Sequence, residues 1–118
     1  MRIEVKGRNV PVPEELREQI VRRFRKVGRQ VSDLAELEVE LREERNPSIE
    51  RPMVAEATLY LKGVTLRASD ASHDLRHAIH LCEEELSRQV KRHREKRRGR
   101  RASRAQAQAG RTGEQPAI

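Results

Sequence analysis

Basic side chains at helical spacing are the residues of this chain with chemistry to offer. Arg22, Arg25, Lys26 and Arg29 follow one another at steps of three, one and three. On a helix these steps gather all four within roughly a 100° arc, opposite the apolar stripe of Leu16, Ile20, Phe24 and Val27. Arg88, Lys91, Arg92 and Arg94 form a second group at the end of a second amphipathic segment, and Lys96, Arg97 and Arg98 extend it with only Glu95 among them. Arginine supplies 21 of the 26 basic side chains, and its planar fork matches phosphate oxygens better than the point charge of lysine. The chemistry implied is anion binding: a surface that holds a phosphate backbone without reading bases, with an affinity that falls steeply with salt. Lys6 and Arg8, beside the first turn, are lesser members of the same set. A charge run on a helix is as readily a plain solvated face, so this reading requires the two helices to lie side by side.

Other chemistries are less well provided for. His73, His77 and His80 stand at i, i+4 and i+7, a spacing that places them within roughly a 60° arc on the solvent side of a helix, with Asp70, Asp74 or Glu84 close enough to add a carboxylate. No HExxH pattern and no cysteine accompanies them on that face, so no metal is assigned. Asp70 and Asp74 read as partners of a helix N-terminus, with Ser69 or Ser72 as its cap. Cys82 lies on an apolar stripe, where a thiol acts as a small hydrophobe. No nucleophile context and no glycine-rich phosphate loop occurs, so the sequence assigns no catalytic residue, no cofactor and no small-molecule substrate, and predicts a protein that is not an enzyme. Phe24 and Tyr60 are the only aromatic residues, too few for recognition by stacking on bases.

The elements that must position the basic groups follow from periodicity. Residues 2–6 alternate, with Ile3 and Val5 on one side. Pro11 and Pro13 end that strand, and the acidic pair Glu14 and Glu15 opens a helix over 14–29. Residues 36–43 alternate strictly, Leu37, Val39 and Leu41 against Glu36, Glu38 and Glu40. A strand over 53–62 follows the loop 44–52, and the pair Lys62 and Gly63 turns it into a strand over 64–68, with Tyr60 and Arg67 facing outward. Leu75, Ile79, Cys82, Leu86 and Val90 mark the second helix. The order is β-α-β-β-β-α, an α+β fold with a four-stranded mixed sheet and both helices packed on one face. A right-handed crossover makes the first two strands parallel. One domain over 1–97 is predicted, followed by a disordered basic tail over 98–118.

Charge is divided as unevenly as hydrophobicity. Residues 1–90 carry 16 basic and 17 acidic side chains, net −1, whereas residues 91–118 carry ten and two, net +8. Residues 30–60 hold eight acidic against three basic groups, which makes the open sheet face repellent to phosphate. Binding to a polyanion is therefore oriented, helices first. No stretch resembles a signal peptide or a membrane span, and a cytoplasmic location is expected.

Three passages, RIEVKGRNVPVPEELREQI, RRFRKVGRQ and LRASDASHDLRHAIHLCEEELSRQVKRHREK, give the chain a resemblance to the ribosome hibernation promoting factor family, also called ribosome-associated inhibitor or ribosomal subunit interface proteins, in its short form. The likeness covers about residues 2–97. It implies the fold deduced above and a translation inhibitor of stress or stationary phase. Such a protein occupies the decoding region of the small ribosomal subunit, with 16S rRNA as its partner and the 70S ribosome as a further one. By position, the RNA-facing residues it implies are Arg22, Arg25, Lys26, Arg29, Arg88, Lys91, Arg92 and Arg94, with Lys6 and Arg8 as minor members. Pro13 replaces a usual Thr cap, and Arg76, His77 and His80 replace a typical Tyr, Ala and Asp. As a short form, the chain is expected to lack the second domain that long members use to pair ribosomes. The alternatives are a regulatory protein-interaction module that kept the fold and a generic binder of double-stranded RNA.

Overall fold

The computed structural model of the chain describes residues 1–100 in full and the backbone alone from there to Glu114. Strand β1 (Arg2–Arg8) leads into helix α1 (Glu14–Gly28), then strands β2 (Glu36–Glu43), β3 (Met53–Leu61) and β4 (Val64–Ser72), and helix α2 (Leu75–Glu114). The sheet order is β1-β2-β3-β4. β1 and β2 are parallel, with Val5 beside Val39, and the other two pairings are antiparallel. This is the α+β architecture expected from the sequence. Over the stretch 98–118, where the sequence predicts a disordered basic tail, the backbone continues α2 as far as Glu114, and residues 115–118 lie outside the described residues.

Alternation fixes which side of the sheet is covered. Val5, Leu37, Val39, Leu41, Ala55, Ala57, Leu59 and Ala68 are buried, and so are Ile20, Phe24 and Val27 of α1 and Ile79, Cys82, Leu86 and Val90 of α2. All belong to one core, so both helices lie on the same face. α2 packs over β3 and β4, where Ala55, Ala57 and Ala68 leave room for its larger residues. Each helix runs back against the strand that precedes it, and β4 shares the direction of β1, so the two helices point the same way.

Loop chemistry sets the ends of the elements. Asn9 adopts φ 60°, a left-handed conformation that asparagine tolerates, and the chain folds back over β1 so closely that a Cβ on Gly7 would lie 2.4 Å from the Val10 carbonyl oxygen. Gly63 supplies φ +79° in the hairpin between β3 and β4, which pairs Leu61 with Val64 as the alternation required. β4 is longer than its periodicity suggested, because Ser69–Ser72 stay paired with β3 although their small polar side chains give no strand signal. Asp70 is consequently a strand residue. The cap of α2 is Asp74, whose Oδ1 accepts from Arg76 N at 3.2 Å, with Ser72 Oγ just upstream accepting from Asp74 N.

Cys82 is fully buried and its Sγ approaches the Ala68 carbonyl oxygen at 3.5 Å. Burial pushes the thiol up to about 12 from its ordinary 9.0. Native protein at pH 8 should therefore resist iodoacetamide and label only in denaturant. Below pH 9 both states keep the proton, so the group adds no slope. Between 9 and 12 the unfolded chain releases it first, and stability should fall as pH rises by up to ~1.4 kcal/mol per unit. Cys82→Ala should flatten that slope in urea titrations, and a slope unchanged by the substitution would show the thiol to be solvated.

Candidate nucleic-acid interface

α1 delivers its basic residues as the spacing predicted. Arg22, Arg25, Lys26 and Arg29 are all exposed, because the buried stripe of Ile20, Phe24 and Val27 turns them outward. They divide between the flanks of the helix. Arg25 and Arg29 border a shallow hollow with Met1, Ile3, Val21 and Asp33 on the β1 side, whereas Arg22 and Lys26 lean towards α2. Arg17 is withdrawn from any such role, its Nη1 donating to the Val5 carbonyl at 3.0 Å and its Nε lying 3.7 Å from Glu14.

The α2 residues are arranged differently from the expectation of one joint surface. Arg88 donates to Glu85 Oε2 from Nη2 at 2.7 Å and from Nε at 3.2 Å, and Arg92 Nη2 lies 3.7 Å from Glu85 Oε1. Gln89 fixes this flank against β4 by donating to the Arg67 carbonyl at 2.6 Å. Arg88 and Arg92 therefore face the β4 side, away from α1. Hydrogen bonds from Arg88 and Gln89 hold the Glu85 carboxyl below its ordinary range, and the same contact with Glu85 raises Arg88. Arg94, on the other flank, lines a hollow with Gln30, Val31, Ser32 and Leu34 of the α1–β2 connection, beside His93, Arg97 and Lys62. Lys91 is exposed one turn before it. With Arg23 level with His80, a rise of ~1.5 Å per residue puts Arg94 ~12 Å further along than Arg29. The basic groups form a band running lengthwise, not two facing clusters.

Lys6 and Arg8 belong to the opposite side. Alternation from Val5 puts them on the open face, where Lys6 lies 3.9 Å from Glu4 and 4.0 Å from Glu38. Most charge there is internally matched. Arg42 reaches Glu44 and Glu56, both at 3.2 Å, and Glu40 at 3.8 Å. Burial pulls its guanidinium down, but the hydrogen bonds to Glu56 and Glu44 outweigh that and leave it raised. Tyr60 Oη donates to Glu38 at 3.3 Å, the cross-strand role expected of it.

The three histidines do not converge. His73 precedes α2, His77 Nδ1 pairs with Ser72 Oγ at 2.9 Å, and His80 lies between Arg23 and Glu84. The helical spacing assumed for them fails because α2 begins at Leu75. Among the described residues no group of His, Cys, Asp or Glu is placed to hold a metal ion, and no helix is long and apolar enough to cross a membrane. Sequence reasoning missed Arg23 and Arg76. Both flank apolar stripes, and the structure brings them into one groove between α1 and α2.

The fold and this charge distribution define a class: a small α+β domain with a cationic helical side and an internally paired sheet side. Residues 3–98 match the family described as Sigma 54 modulation protein / S30EA ribosomal protein, and the chain belongs to this family, that of the non-catalytic ribosome hibernation promoting factors and ribosomal subunit interface proteins. It is similar to the ribosome hibernation promoting factor of Salmonella typhimurium, 30% identical over 96 residues that cover 81% of this chain and 96% of that protein. The ribosome hibernation promotion factor of Picosynechococcus sp. is 27% identical over 97 residues, 81% of this chain but 50% of the relative, so the chain spans about half that protein's length. Among solved structures, the N-terminal domain of Thermus thermophilus Protein Y superposes with a TM-score of 0.66 at 25% identity, over 78% of this chain and 98% of that one. A ribosomal subunit interface protein from Coxiella burnetii has the same fold, with a TM-score of 0.66 at 18% identity over 80% and 98% of the two chains.

Proposed function

We propose that this protein binds the small ribosomal subunit through the phosphates of 16S rRNA, occupies the decoding region and so inhibits translation in stress or stationary phase. The observation that carries the reading is the exposed band of Arg22, Arg25, Lys26 and Arg29 continuing towards Lys91 and Arg94, set on the face opposite an internally paired sheet surface. Such a surface attracts a phosphate backbone, orients the domain on it and has no stacking platform for bases. The names of the Salmonella and Picosynechococcus relatives point to the same role. Lys6 and Arg8 are peripheral in this reading, reaching RNA only at the β1 edge. Residues 1–97 form the ribosome-binding domain, and the basic segment from 98 onward adds non-specific attraction to RNA. The protein acts in the cytoplasm, where the 70S ribosome is its further partner.

Co-sedimentation with purified 30S and 70S ribosomes, with translation measured in parallel, tests the reading. Binding at low salt that weakens steeply as salt rises, is competed by messenger or transfer RNA and tracks inhibition is the expected result. Salt-independent binding would favour a protein-interaction module, and equal affinity for any RNA duplex a generic binder.

A further inference from the structure

Between α1 and α2 lies a groove of about 560 Å³ lined by Leu16, Gln19, Ile20, Arg22, Arg23, Lys26, Arg76 and Ile79. Four of those side chains are cationic and none is acidic. Among the described residues, Arg22, Arg23, Lys26 and Arg76 make no ion pair with a carboxylate; Arg22 Nε donates only to the Glu18 carbonyl at 3.4 Å. Elsewhere the molecule neutralises its arginines, as at Arg42 and Arg88. Like charges gathered in a concavity repel one another, and an anion seated among them relieves that cost.

One of the four is held in place. Arg23 Nη1 lies 2.6 Å from His80 Nδ1, and His80 Nε2 lies 2.9 Å from Glu84 Oε1. An arginine can only donate, so Nδ1 accepts and the ring carries its proton on Nε2, which donates to Glu84. This relay anchors one nitrogen of the Arg23 fork and leaves its other donors for a ligand. Arg76 stands one turn before His80, where the helix geometry sets it on the same flank.

We propose that this groove seats a phosphate group, with Arg23 and Arg76 as its principal ligands and Arg22 and Lys26 at its rim. The phosphate is either a backbone diester of bound RNA, in which case the seat deepens the ribosomal reading above and rests on it, or the end of a free phosphorylated molecule. The apolar floor of Leu16, Ile20 and Ile79 excludes water beneath the anion and strengthens each charge-assisted bond.

Two measurements on the full chain decide the matter and identify the source. The first is affinity for the small subunit across a salt series for wild type, Arg76→Gln, Arg23→Gln and Arg76→Lys, with circular dichroism confirming the fold of each. The second is a titration of inorganic pyrophosphate followed by the guanidinium NMR signals of the arginines. For an RNA phosphate, each Gln variant should lose roughly three- to tenfold in affinity and about one unit of salt slope, with Arg76→Lys partly restoring both. Unchanged RNA binding combined with a saturable, Arg76-dependent pyrophosphate response supports the seat and assigns it to a free phosphate ligand. If neither RNA affinity nor the pyrophosphate response depends on Arg76 and Arg23, the seat is overturned. Failure of the ribosomal reading is seen separately, as wild type that does not sediment with the subunit at low salt, and the pyrophosphate response then decides the groove alone.

Discussion

Replacing Arg25 and Arg29 together with glutamate is expected to abolish the proposed binding to the small ribosomal subunit while leaving far-ultraviolet circular dichroism and the unfolding midpoint nearly unchanged. Both side chains are exposed, both lie off the buried stripe of α1, and neither forms an ion pair among the described residues. Their removal therefore costs the fold little. The cost to binding is large because two phosphate contacts are lost and two negative charges appear where the polyanion would lie. Each lost contact lowers the salt slope by about one, and with the added repulsion a loss of at least ~100-fold at moderate salt is expected. The informative control is Arg88→Glu. Arg88 is committed to Glu85 at 2.7 Å and faces β4, so its reversal should weaken binding far less. Sedimentation across a salt series reads all of these. Unchanged binding by the double variant would remove α1 from the interface.

The success of spacing on α1 and its partial failure on α2 share a cause. A helix with one buried stripe has its outward arc dictated by that stripe alone, and no acidic residue lies among Arg22, Arg25, Lys26 and Arg29 to redirect them. On α2, Glu83, Glu84 and Glu85 sit one turn before the basic block, and Glu85 captures Arg88 and Arg92 on the flank facing β4. Which arginine a surface carboxylate captures depends on rotamers and on neighbours such as Arg67, which come from another element. The groove residues were hidden for a related reason. Arg23 and Arg76 flank apolar stripes instead of lying opposite them, and only the placement of two helices side by side turns two flanks into one concavity.

The fold itself was legible because each strand has one apolar face and each helix one stripe, so few arrangements satisfy all of them. Where the reading fell short, side-chain chemistry was silent. Ser69, Asp70, Ala71 and Ser72 look like a capping region, yet backbone pairing with Met53–Glu56 keeps them in β4. That two-residue-per-turn continuation moved the start of α2 to Leu75, and with it took His73 off the helix. Lys6 met the same limit. Its proximity to the first turn suggested a place near the helices, but strand alternation after Val5 sends it to the opposite face, where Glu38 of the neighbouring strand receives it.

The core offers the second large effect. Phe24 is fully buried at 0% exposure, is the only aromatic side chain in the core, and fills the space beneath α1. With Val27 and Ile20 it makes the stripe that orients the four exterior basic residues. Truncation by Phe24→Ala leaves a cavity in the core that the sheet cannot collapse into, since strand register fixes its backbones. A loss of about 3–5 kcal/mol is expected, a large fraction of the stability of a single small domain. Urea titration should show the midpoint displaced with the slope unchanged, and subunit binding at low temperature should persist as long as the folded form is populated. A loss below about 1 kcal/mol would mean that α1 is not seated on the sheet through Phe24. The exterior band would then lack the support that gives it its direction.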